Sequence, residues 1–85
     1  MAFYAALLHM VDPEKNKEVR PLHLEYLAEL EKENKVFAKG PFTDGSGGLV
    51  VYEANTYEEA LELAQNDPAV THGVRRLELK EWNKN

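Results

Sequence analysis

VFAKGPFTDGSGGLVVY, residues 36–52, fixes how the rest of the chain must be arranged. A short strand-like run, Val36 to Lys39, and an apolar run, Leu49 to Tyr52, flank Gly40-Pro41 and a loop from Phe42 to Gly48. Gly, Asp and Ser adopt turn conformations cheaply, so the stretch predicts two antiparallel strands joined by a hairpin. The second strand of the pair is apolar on both alternating faces, which places it inside a sheet and not at its edge.

Outside this hairpin the pattern is nearly symmetric. Upstream, Leu22, Tyr26 and Leu30 recur at four-residue spacing, with Glu25, Glu29 and Lys32 on the other side. That is an amphipathic helix, and Pro21 is expected in its first turn, where proline is tolerated. Downstream, Thr56-Tyr-Glu-Glu59 is a capping box that opens a second helix, with Tyr57, Ala60, Leu61 and Ala64 as its buried stripe. Asn66-Asp67-Pro68 stops it. At the ends of the chain, Phe3 to Val11 is apolar on both faces, and Val74 to Trp82 alternates Leu77 and Leu79 with Arg76, Glu78 and Lys80. The order is β-α-β-β-α-β, an α+β, ferredoxin-like arrangement with an antiparallel sheet. The first and third strands are expected in the centre and the second and fourth at the edges. Both helices then cover one face, and the apolar residues of the bare face call for a twofold partner, hence a homodimer packed sheet to sheet.

Length and composition narrow the function. The 85 residues form a single domain, 1–85, whose core alone is marginal in stability, and no cysteine offers a disulfide or a thiolate metal site. Ten basic against fifteen acidic side chains give a net charge of −5, which argues against nucleic acid and anionic membranes as partners. The apolar run from Ala2 to Leu8 is too short to span a bilayer and has no basic leader, so a cytoplasmic protein is expected. His9, His23 and His72 share no spacing that would join them at a metal, although His9 at the end of its strand could approach a cleft. The loop Gly45-Ser-Gly-Gly48 lacks the lysine and the following helix of a phosphate-binding loop.

The element order itself brings chemistry together. With the first strand running upward, the start of the first helix, the hairpin loop and the end of the second helix share the upper edge. His23 and Asp67 therefore meet there. A histidine in a first helical turn and a carboxylate beyond a helix C-terminus each face the unfavourable end of a dipole, and pairing relieves both. A carboxylate-oriented imidazole beside a glycine-rich loop can move a proton. Arg20 adjoins His23 and can clamp a carboxylate or phenolate, since a guanidinium binds anions bidentately.

Several motifs, taken in order, resemble those of the YciI-like (YCII-related) family. They are Arg20-Pro-Leu-His-Leu-Glu-Tyr-Leu27, Gly40-Pro41, Thr56-Tyr-Glu-Glu-Ala60, Asn66-Asp67-Pro68 and Glu81-Trp82-Asn83. The resemblance covers nearly the whole chain and implies a dimeric α+β barrel built on the ferredoxin-like fold. It also implies a catalytic histidine and aspartate, which here match His23 and Asp67, and one branch of the family is linked to dechlorination of a hydroxylated aromatic ring. The expectation is a small enzyme in which His23 is the general base or acid and Asp67 orients it. Arg20, Phe42 and Ser46 would hold a small organic substrate. A lone dyad without metal or cofactor suits isomerisation, elimination or dehydrochlorination better than redox chemistry. The alternatives are a binding module that holds a small ligand in the same cleft without turning it over, and a purely structural dimer. Trp82 either anchors the end of the sheet or reaches over the partner.

Overall fold

The computed structural model describes residues 2–85. Four strands, β1 (Ala2–Met10), β2 (Val36–Pro41), β3 (Gly47–Ala54) and β4 (Arg75–Trp82), form one antiparallel sheet in the order β2-β3-β1-β4. Helices α1 (Pro13–Lys32), α2 (Tyr57–Gln65) and the single turn α3 (Pro68–Thr71) complete the chain. This is the ferredoxin-like α+β fold, with β1 and β3 central as their two-sided apolarity requires. Tyr4, Ala6 and Leu8 of β1 and Val50, Tyr52 and Ala54 of β3 alternate toward the helices and are buried. Leu27 and Leu30 of α1, Val36 of β2 and Ala64 of α2 close the main core over them.

The first helix begins eight residues earlier than Pro21 suggests. Asp12 caps it by accepting the Lys15 N–H at 3.1 Å, Pro13 occupies the first helical position and Glu14 lies in the first turn. These are ordinary start signals, and together they outweigh the proline inside. Pro21 removes one main-chain bond, to the Lys17 carbonyl, but both residues are exposed, so water can satisfy that oxygen. Moving the start also rotates the buried stripe. Val19, His23, Leu27 and Leu30 face inward, whereas Leu22, expected inside, is 49 % exposed. On α2 the capping box forms as expected, with Thr56 Oγ1 accepting the Glu59 N–H at 3.1 Å. Ala60 and Ala64 are buried there, but Tyr57 is largely exposed.

Between β2 and β3 the ladder carries a bulge. Val36 pairs with Tyr52 and Ala38 with Val51, so Phe37 has no partner. Phe37 and Ala38 both project from the face away from the helices, and Lys39 is returned to the helix side opposite Val50. Phe37 meets the Phe3 ring edge-on at 5.0 Å, and Phe3 meets Trp82 likewise at 6.3 Å.

β3 starts at a point of close approach. Gly47 has φ +143°, and a Cβ placed on it would stand 2.0 Å from the Leu8 carbonyl oxygen. Gly40, by contrast, faces open space. Gly47→Ala is therefore expected to cost about 2–4 kcal/mol in denaturant unfolding, from backbone strain plus overpacking. Gly40→Ala should stay within about 0.5 kcal/mol of the parent protein.

Candidate active site

His23 lies in the middle of α1, not in its first turn. With 20 residues the helix is about 30 Å long, so the imidazole lies roughly halfway along it. Asp67 meets it from the junction between α2, which ends at Gln65, and α3, which begins at Pro68. The electrostatic expectation for Asp67 is also reversed. It follows α2, but it is the N-cap of α3 and accepts the Ala69 N–H at 2.9 Å, the favourable end of a helix for a carboxylate.

The two side chains form a buried pair. His23 Nδ1 lies 2.7 Å from Asp67 Oδ1 and 2.9 Å from Oδ2, and the carboxylate has no solvent exposure. A carboxylate only accepts, so the proton of a neutral His23 ring belongs on Nδ1, and Nε2 is left with its lone pair. Nε2 has no protein partner among the described residues, and His23 lines a cavity of about 190 Å³ between α1 and the sheet. Two phenols stand near the carboxylate. Burial raises the pKa of Tyr52, and the charge of Asp67 raises it further. The same two causes, in the same order, raise that of Tyr26, whose hydroxyl donates to the Leu63 carbonyl at 2.6 Å. Both therefore stay neutral.

The rest of the cavity wall divides by chemistry. Leu8, Leu24, Leu27, Leu49, Val50 and Pro41 give an apolar lining, and Arg20, Lys39 and Arg75 bring positive charge. Arg20 is thus on the wall, as the sequence suggests, but exposed. Phe42 and Ser46 are not among the lining residues. The Ser46 N–H instead closes an Asx turn on Asp44 at 2.9 Å, and its carbonyl accepts the Met10 N–H at 2.8 Å. His9 is directed to the opposite sheet face, where its Nε2 lies 2.8 Å from Glu78 Oε1. That contact, with help from Lys80, lowers the Glu78 pKa. His72 caps the end of α3 and is exposed.

Two wall residues escaped the sequence reading. Lys39 is turned to the cavity by the β2 bulge and pairs with Glu31 at 3.1 Å. Arg75 stands beside Arg76 on an edge strand, where cross-strand ion pairs or a place on the dimer face would be expected, yet it is only 8 % exposed. A signal was present: strict alternation along β4 puts Arg75 on the same face as Leu77 and Leu79. Burial lowers its pKa, Asp67 acts in the opposite sense, and Arg20 adds to the lowering.

Comparisons with known proteins agree with this architecture. Residues 2–83 match the profile of the YCII-related domain. YjpA, an uncharacterized protein of Bacillus subtilis (strain 168), is 40% identical over 80 residues, which is 93% of this chain and 94% of that protein. Among solved structures, the fold matches 5-chloro-2-hydroxyhydroquinone dehydrochlorinase (TftG) from Burkholderia phenoliruptrix AC1100, in complex with 2,5-dihydroxybenzoquinone. The TM-score is 0.82 at 19% identity, covering 98% of this chain and 95% of that one, a likeness of fold.

Two measurements test the pair. Long-range ¹H–¹⁵N spectra should show neutral His23 as the Nδ1–H tautomer, and a dominant Nε2–H form would contradict the geometry. Asp67→Ala leaves a buried imidazole N–H and the Ala69 N–H without acceptors, and it should cost about 3–5 kcal/mol in denaturant unfolding.

Proposed function

This chain belongs to the YCII-related domain family, and from that premise we propose that it is a small enzyme in which His23 moves a proton on a small organic substrate, aromatic compounds included. The observation that carries the reading is the division of labour on one ring. Nδ1 is held by Asp67, and Nε2 is the free nitrogen of a residue on the cavity wall.

In this reading Nε2 takes a proton from a C–H or O–H of the bound molecule, and the imidazolium that forms is stabilised by the carboxylate behind it. The same nitrogen returns the proton to another atom in an isomerisation. In an elimination a leaving group departs with its bonding electrons, chloride in the case of dehydrochlorination. Such assistance is worth about 100- to 10,000-fold in rate. The cavity suits a single ring, since its volume of about 190 Å³ exceeds the ~150 Å³ apolar cavity that accommodates benzene. The structural likeness to a dehydrochlorinase makes chlorinated hydroxyquinols the first compounds to try.

The reading includes a homodimer. On the sheet face away from the helices, Phe37 is 49 % and Trp82 43 % exposed, and Phe3 joins them in one aromatic cluster. Lys84 lies over both phenylalanine rings at 5.3 and 5.7 Å. A domain this small gains most by burying such a patch against a second copy.

On any substrate the protein turns over, His23→Asn, which keeps an N–H donor for Asp67 but removes Nε2, should lower kcat/KM by about 100-fold or more, with an unchanged far-UV circular dichroism spectrum. Turnover that survives the substitution would refute the assignment. Light scattering should give twice the monomer mass, and Phe37→Glu should shift it toward the monomer. A parent protein that runs as a monomer would rule the dimer out.

A further inference from the structure

Arg75 poses a problem that the proton-transfer reading leaves unsolved. Buried charges are normally paired, yet among the described residues this guanidinium has no carboxylate partner. Its one side-chain bond is from Nε to Asn16 Oδ1, at 3.1 Å. That bond uses the inner edge of the group, and the outer edge, with Nη1 and Nη2, is left as a fork on the cavity wall. The sheet is shaped to admit it. Arg75 reaches from β4 across β1 to β3, where Gly48 stands, and a Cβ on Gly48 would come within 3.1 Å of Nη1. The other two cations are less suited. Lys39 is engaged by Glu31, and Arg20 is exposed to water.

We propose that Arg75 is the anion seat of this cavity, and that the substrate presents two anionic oxygens side by side, as a carboxylate or an ionised hydroxyquinone does. The proposal rests on the cavity being the substrate site. Two parallel N–H groups match two adjacent oxygens, and the low polarity around them strengthens the contact. Leu8, Leu27 and Val50 then take the rest of the molecule, within reach of His23. Asn16 and Gly48 are positioning residues, one holding the guanidinium and the other making room for it.

The test uses benzoate, 2,5-dihydroxybenzoquinone and the neutral benzamide as probes, titrated into the protein and followed by the amide signals of Gly48, Leu49 and Val50. At least one anion should bind about tenfold more tightly than benzamide, the value of a charge-assisted hydrogen bond. Arg75→Gln should abolish that difference and leave benzamide unaffected. Arg75→Lys, which keeps the charge and loses the fork, should recover only part of it. Gly48→Ala should weaken the anion although Arg75 is present. Anions that bind no better than benzamide, or that bind equally well to Arg75→Gln, would overturn the proposal. The two readings fail separately. Arg75-dependent anion binding without turnover of any compound defeats the enzyme and keeps the seat. Turnover that depends on His23 and is unaffected by Arg75→Gln does the reverse.

Discussion

The contact between His23 and Asp67 joins positions 44 residues apart, and much of the helical layer is arranged around it. A fully buried carboxylate is tolerable only when its oxygens are satisfied. Here the imidazole N–H and the Ala69 N–H do so, which at once caps α3, fixes the corner after α2 and pins that corner to the middle of α1. The same bond sets the ring's rotation and tautomer. The geometry that satisfies the fully buried Asp67 is therefore the geometry that leaves Nε2 available, and neither role can be altered without the other.

Charge is segregated in a way the net value conceals. The chain carries five more acids than bases, but among the described residues the cavity wall contains Arg20, Lys39 and Arg75 and no carboxylate. At separations beyond about 10 Å salt screens the acidic exterior, so an approaching anion is governed by the local wall.

The sheet was largely legible in the sequence because strand position leaves a direct mark. A central strand must be apolar on both sides, and β1 and β3 are. The helix registers were harder. Pro21 ahead of an apolar run looks like a beginning, and only the competing Asp12-Pro13 cap shows that it lies in mid-helix. From that misplaced start followed an inward Leu22 and a His23 in the first turn, whereas the opposite electrostatics for Asp67 came from the unforeseen turn α3 that it caps. The contact between His23 and Asp67 is present despite these errors, since it depends on the order of elements, whereas its surroundings depend on side-chain reach. Phe42 and Ser46 are close to the cavity in sequence terms, yet turn chemistry holds their loop apart from it. Arg75 is far from His23 along the chain, yet enters the cavity because two strands away a residue has no side chain.

The unpaired Phe37 in β2 ties together parts of the protein that otherwise have separate chemistry. Because one extra residue sits in that strand, Phe37 reaches the aromatic face and Lys39 reaches the cavity, two positions that regular alternation would put on the same side. Loss of a single residue here would exchange the faces of everything between the bulge and the hairpin. A substitution in this strand can be accommodated one face at a time, but a change in its length cannot. Lineages descended from such a sequence are therefore free to vary the edge strand's side chains, while its residue count is held fixed by both surfaces together.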